Sequence, residues 1–150
     1  MDVMLINGPN LNALGTRKPE VYGRVTLADV EESMRAQARE AGLDLECYQD
    51  NHEGGIVDKI HEAKRLGCRY FIINPGAYTH TSIAIRVTFE GVDIPFVEVH
   101  VSNVHAREDF RHHSYLSGIA AAILVGCGVQ GYNLALELVA SRLRQNVKAA

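Results

Sequence analysis

Three short apolar runs in this chain stop in the same way. Val3-Met4-Leu5-Ile6 ends at Asn7-Gly8-Pro9-Asn10, Tyr70-Phe71-Ile72-Ile73 at Asn74-Pro75-Gly76, and Phe96-Val97-Glu98-Val99 at His100-Val101-Ser102-Asn103. Apolar runs this short, closed by Asn, Pro or Gly, predict strands buried on both faces. Between them the period changes. Leu27, Val30, Met34, Ala38 and Ala41 share one helical stripe, with Thr26 as N-cap, Asp29 three residues on as a weaker form of the capping box, and Gly42 as the stop. Leu43 to Tyr48 alternates Leu43, Leu45 and Cys47 with Asp44, Glu46 and Tyr48, the period of an edge strand. Glu53 to Leu66 reads as a helix with Ile56, Ile60 and Ala63 inward and Gly67 after it. Ser82 to Glu90 reads as a short helix with Ile83 and Val87 four apart and Gly91 after it. Ile119 to Gly126 predicts a small-residue strand, at least in its second half. The last helix, Gln130 to Asn146, has Leu134, Leu138 and Leu143 as its stripe, and Arg142, Arg144 and Lys148 near its C-terminal end suit its dipole. Two stretches carry no period: the long loop from Asn7 to Val25, and the polar segment from His100 to Tyr115.

Five strands alternating with helices predict one α/β unit, a doubly wound parallel sheet with strand order 2-1-3-4-5. Strands 1 and 3 then flank the switch point, and the polar ends of strands 1, 3 and 4 gather at the C-terminal edge, where such sheets bind ligands. At 150 residues the whole chain, 1–150, fits a single domain. The net charge of −3 and the absence of a basic run argue against nucleic acid as a partner. No apolar stretch approaches the roughly 20 residues needed to span a bilayer, so the expectation is a cytoplasmic protein without a membrane partner. Cys47, Cys68 and Cys127 form no CxxC pair and read as small buried thiols in a reducing compartment.

Candidate chemistry follows from the polar ends. Glu98 and His100 are two apart and so share a face of their strand. A carboxylate there fixes the imidazole's tautomer and favours its charged form, which suits a general acid, although an ordinary Glu–His pair at a strand end is the alternative. Arg17 and Tyr22 lie in the long loop, five apart. A guanidinium close by favours the phenolate of a Tyr that is otherwise a poor base near neutral pH, while loop packing is the other reading. Asn10 and Asn74 are placed at neighbouring strand ends, suited to holding carbonyls, carboxylates or water, and Gly76 allows close backbone approach to a ligand. His105, His112 and His113 match no metal-binding spacing, so no metal is expected. A phosphate loop of Ser and Thr after strand 1, acidic residues at the ends of strands 1 and 3, and a GxGxxG turn are all missing. That disfavours flavin, phospho-acceptor and dinucleotide domains.

Together the motifs resemble the type II 3-dehydroquinate dehydratase family. The matching segments are INGPNLNALGTRKPEVYG (Ile6 to Gly23), DNHEG (Asp50 to Gly54), INPGAYTHTS (Ile73 to Ser82), VEVHVSNVHAREDFRHHSYLS (Val97 to Ser117) and GVQGYNLAL (Gly128 to Leu136). The resemblance implies a flavodoxin-like fold, a homododecamer built from trimers, and cofactor-independent anti elimination of water from 3-dehydroquinate through an enolate. It implies Tyr22 as the base, Arg17 keeping its phenolate ionised, and Asn10 holding the water that stabilises the enolate oxygen. It also implies His100, oriented by Glu98, as the acid, and Asn74, Gly76, Ala77, His80, Arg111 and the Val101-Ser102 backbone as the substrate-binding groups. The four lysines, Lys18, Lys59, Lys64 and Lys148, lie at no predicted strand end, so a Schiff-base route has no support. One departure stands out: Val87 occupies the position after Arg86 where the family usually carries an Asp that reaches a neighbouring subunit's site. A small-molecule binding protein that has lost turnover is the competing reading, with Val87 in its favour and the retained Tyr22, Arg17 and His100 against it. The residues do not distinguish a biosynthetic from a catabolic pathway.

Overall fold

The structure is a computed structural model that describes residues 1–16 and 19–149, and for residues 21, 22 and 147–149 the backbone alone. Its elements run β1 (Val3–Asn7), α1 (Pro19–Tyr22), α2 (Leu27–Glu40), β2 (Leu45–Gln49), α3 (Glu53–Arg65), β3 (Tyr70–Asn74), α4 (Ile83–Val92), β4 (Phe96–His100), β5 (Ala122–Val125) and α5 (Gln130–Ala149). The strands form one parallel sheet in the order β2-β1-β3-β4-β5, as the pattern predicts. Every residue of β1, β3 and β4 is buried, which is why these strands read as unbroken apolar runs.

Strand alternation splits the core in two. Val3, Leu5, Ile72, Val97 and Val99 pack on one face against Val30 and Met34 of α2 and Tyr132, Leu136 and Val139 of α5. Met4, Ile6, Phe71, Ile73 and Phe96 pack on the other against Ile56 and Ile60 of α3 and Ile85 and Phe89 of α4. Each fully buried side chain of this kind contributes about 1.5–3 kcal/mol over exposure. At the head of α2 the capping box is complete, with the Thr26 hydroxyl accepting from Asp29 N and the Asp29 carboxylate accepting from Thr26 N.

Several expectations shift. β2 lies at the sheet edge but starts at Leu45. In α4 the apolar pair Ile83 and Val87 faces outward, 55% and 58% exposed, while Ile85, Phe89 and Val92 are buried. Gly91 lies inside that helix, which ends at Asp93 in a left-handed conformation (φ 55°). The inward stripe of α5 is Tyr132, Leu136, Val139 and Leu143, and Leu134 and Leu138 are only partly buried. The loop after β1 contains a 3₁₀ turn at Leu11–Ala13 and the short α1. The segment after β4 is built from 3₁₀ turns at Val104–Ala106, Asp109–Arg111 and Ser117–Ile119. All three cysteines are free, but only Cys68 is fully buried; Cys47 is half-buried and Cys127 exposed. Among the described residues, no helix is long and apolar enough to cross a membrane.

Candidate active site

Two residues at the end of β4 form the centre of the C-terminal edge. Glu98 is 0% exposed, and a carboxylate that deep is tolerated only when its oxygens are engaged. They are: Oε2 accepts from His100 Nε2 at 2.5 Å and from Ser114 Oγ at 2.9 Å, and Oε1 accepts from Ser117 Oγ at 2.8 Å. Ser114 Oγ in turn accepts from the backbone N–H of Leu116 and Ser117, so its own proton is directed to Glu98. Burial pushes the Glu98 carboxyl up. The hydrogen bonds from His100, Ser117 and Ser114 and the charge of His100 outweigh it and hold the group below the usual carboxylate range.

A carboxylate only accepts, so the proton between the pair sits on Nε2, leaving Nδ1 to face a ligand. His100 is 7% exposed, covered but reachable.

The depressed carboxyl has a measurable consequence. Glu98 is ionised in the folded protein at pH values where the unfolded chain, with an ordinary value of 4.5, has taken up a proton. Its stabilisation is therefore complete above that value and is lost as pH falls below 4.5. Melting temperatures recorded from pH 7 to pH 3 should fall steeply in that window for the wild type and less steeply for Glu98→Gln.

Glu98, His100 and Arg111 line one cavity of about 280 Å³, with Thr79, Ser114 and Val104 among its other walls. Arg111 is fixed by an Nε donation to Glu108 Oε2 at 2.9 Å and lies over the Phe110 ring at 4.8 Å. The buried Thr79 hydroxyl, without a partner among the described residues, lines the same cavity. A groove of about 300 Å³ near Asp93, Pro95 and Phe96, where β4 begins, holds no imidazole and lies at the edge where open α/β sheets do not bind ligands. His105 and His112 have ring centres 6.0 Å apart, and no group of three metal-capable side chains occurs among the described residues.

The other predicted residues gather at the same edge but not on one face. Asn74 belongs to the opposite face of the sheet, with Asn7 and Tyr132. Its Nδ2 donates to Tyr132 Oη, and its Oδ1 accepts from Gly76 N. Gly76 takes φ +58°, and a Cβ there would come within 3.0 Å of the Pro9 carbonyl oxygen, so the close approach the structure shows is between the two loops. Asn10 is exposed and left-handed (φ 69°), and its N–H donates to Asn51 Oδ1. Ala77 is exposed in the 3₁₀ turn Gly76–His80. His80 Nδ1 lies 2.8 Å from the His113 carbonyl, with its ring edge-on to Phe110. The Val101 carbonyl accepts from Gly128 N, and the Ser102 hydroxyl from Arg107. Arg17 and the side chain of Tyr22 lie outside the described residues; the backbone of Tyr22 ends α1.

Ser114 and Ser117, Asn51 and Tyr132 are the residues that sequence reasoning missed. Ser114 falls in the aperiodic polar segment and Ser117 just beyond its end, where nothing marks a hydroxyl as turned toward a carboxylate.

Comparison with known proteins finds relatives over nearly the whole chain. The family described as dehydroquinase class II matches residues 1–140. A catabolic 3-dehydroquinase of Aspergillus oryzae is 60% identical over 148 residues, 99% of this chain and 96% of the relative. One from Emericella nidulans is 59% identical over 148 residues, again 99% and 96%. Among solved structures, the type II dehydroquinase of Butyrivibrio crossotus superposes with a TM-score of 0.88 at 43% identity, covering 93% of this chain and 97% of the other.

Proposed function

Because the chain belongs to the class II dehydroquinase family and removes water from 3-dehydroquinate to give 3-dehydroshikimate, we propose that it does so at the C-terminal edge of the sheet, with His100 as the acid. The observation that carries this reading is the buried Glu98–His100 pair opening on a cavity walled by Arg111. A dehydration that passes through an enolate needs a base for the proton alpha to the ketone, charge stabilisation at the carbonyl oxygen, and an acid for the departing hydroxyl. Tyr22, in the role the family resemblance gives it with Arg17 keeping its phenolate ionised, takes the proton, and the C–H electrons move into an enolate. Asn10 holds a water against the enolate oxygen. As the ketone re-forms, the new C=C bond expels the hydroxyl, whose oxygen takes the proton from His100 Nδ1 and leaves as water. One proton has then passed from substrate to phenolate and one from imidazolium to product, so a single transfer resets the site.

Asn74, Gly76, Ala77, His80, Arg111 and the Val101-Ser102 backbone bind the substrate carboxylate and hydroxyls. No cofactor or metal takes part. We assign the chain one domain, 1–150, a cytoplasmic location and, on the strength of the relatives' printed name, catabolic 3-dehydroquinase, a catabolic role. A homododecamer built from trimers is part of the same reading, and the outward, exposed Ile83 and Val87 favour self-association. Sedimentation should return about twelve times the 16.5 kDa chain mass.

The direct test is the ultraviolet absorbance of the conjugated enone on adding 3-dehydroquinate to the purified protein without additives. Turnover supports the assignment; binding without turnover would return the protein to a binding role. Val87→Asp separates one further point. Restoring a carboxylate at this exposed position should lower KM several-fold with kcat within about two-fold, one hydrogen bond to a charged group being the difference. Unchanged KM and kcat would mean that position 87 has no substrate role here.

A further inference from the structure

The Asn74 side-chain amide can be turned two ways, and what decides between them lies on α5. Gly76 N–H donates to one terminal atom at 3.2 Å, so that atom is Oδ1 and the nitrogen is turned toward Tyr132. Nδ2 donates to the phenolic oxygen at 2.9 Å. The phenol has its own proton to place, and Asn7 Oδ1 lies 2.6 Å away. Were the Asn7 amide reversed, both amides would donate to the phenol and its proton would meet no acceptor. The sequence of donations from Asn74 to Tyr132 to Asn7 therefore runs one way only. Asn7 and Tyr132 are fully buried and Asn74 is 4% exposed, so water does not compete within the network. An amide nitrogen carries two hydrogens. The phenol takes one, which leaves the second free for another acceptor.

We infer that Tyr132 is a positioning residue for the dehydration: by accepting one N–H of Asn74 and passing its own proton to Asn7, it holds the second N–H toward a substrate oxygen. The inference rests on the reading of Asn74 as a substrate-binding residue. Tyr132 itself never touches the substrate, so its effect belongs in KM.

Steady-state kinetics with 3-dehydroquinate test this. Tyr132→Phe keeps the ring and removes the hydroxyl, and KM should rise about 3–10-fold with kcat within about two-fold, the loss of one oriented hydrogen bond. Val139→Ala, also on α5 and fully buried, lowers stability without touching the network and should leave KM unchanged. Asn74→Ala should raise KM, and adding Tyr132→Phe to it should raise KM no further. A wild-type KM in Asn74→Ala would remove the reading of Asn74 and this inference with it. A raised KM in Asn74→Ala, but with a wild-type KM in Tyr132→Phe or independent effects in the double variant, would overturn the inference alone. If Tyr132→Phe does not fold, Asn7→Leu asks the same question from the far end. It frees the phenolic proton to compete for Asn74 Oδ1, so KM should again rise, and a wild-type value would sink the proposal.

Discussion

His100→Gln is expected to lower kcat by about 10²–10⁴-fold, the usual contribution of a positioned acid or base. Gln is chosen because its amide can still donate to Glu98. An alanine would strand a fully buried carboxylate with two serine hydroxyls, and breaking a buried pair costs about 3–5 kcal/mol, enough to blur a kinetic result with instability. Gln has no proton to give a departing hydroxyl, so the carbon–oxygen bond should become the obstacle while the carbon–hydrogen bond still breaks. In deuterated water the variant should therefore exchange the substrate's alpha proton without forming enone. Enone formation at the wild-type rate would show that His100 is not the acid.

Tyr22→Phe should do the opposite to that exchange. With the phenolic oxygen gone, no enolate forms, and both exchange and elimination should fall by at least about 10²–10⁴-fold with His100 intact. An unperturbed tyrosine ionises near pH 10, so a tyrosine base working near neutrality needs a cation to favour its phenolate; on the proposed role of Arg17, Arg17→Gln should move the acidic arm of the kcat profile toward higher pH. Continued exchange in Tyr22→Phe would move the base elsewhere. The two variants together sort the steps: exchange without elimination for the acid, neither for the base.

The strands and the sheet order were legible because parallel strands buried on both faces leave few alternatives: β1, β3 and β4 are apolar runs with polar stops. The helix faces were less so. IAIRVTFEGV carries apolar residues on both sides of α4, and the spacing of Ile83 and Val87 is as helical as that of Ile85 and Phe89. Only packing against α3 and β4 selects the second pair. The same ambiguity moved the stripe of α5 from Leu134 and Leu138 to Tyr132, Leu136 and Val139. In the site, the period of two placed Glu98 and His100 together. Period alone, however, relates residues within a strand and says nothing of parity between strands. The register pairs Ile73 with Glu98, so Asn74 shares the parity of Val99 and turns to the other face. Ser114 and Ser117 reach Glu98 through irregular turns that leave no periodic trace.

The interior position of β1 also bears on how the chain is made. Its neighbours are β2, beginning at Leu45, and β3, where Val3 pairs with Tyr70. The strand is synthesised before both partners, and β3, its second partner, follows only at Tyr70–Asn74. At roughly 5–20 residues per second that delay is on the order of several seconds. Throughout it Val3-Met4-Leu5-Ile6 is an unpaired apolar segment of the kind that joins other chains, flanked directly by the polar gatekeepers Asp2 and Asn7. The most deeply buried strand of the finished protein is thus its most vulnerable segment during translation.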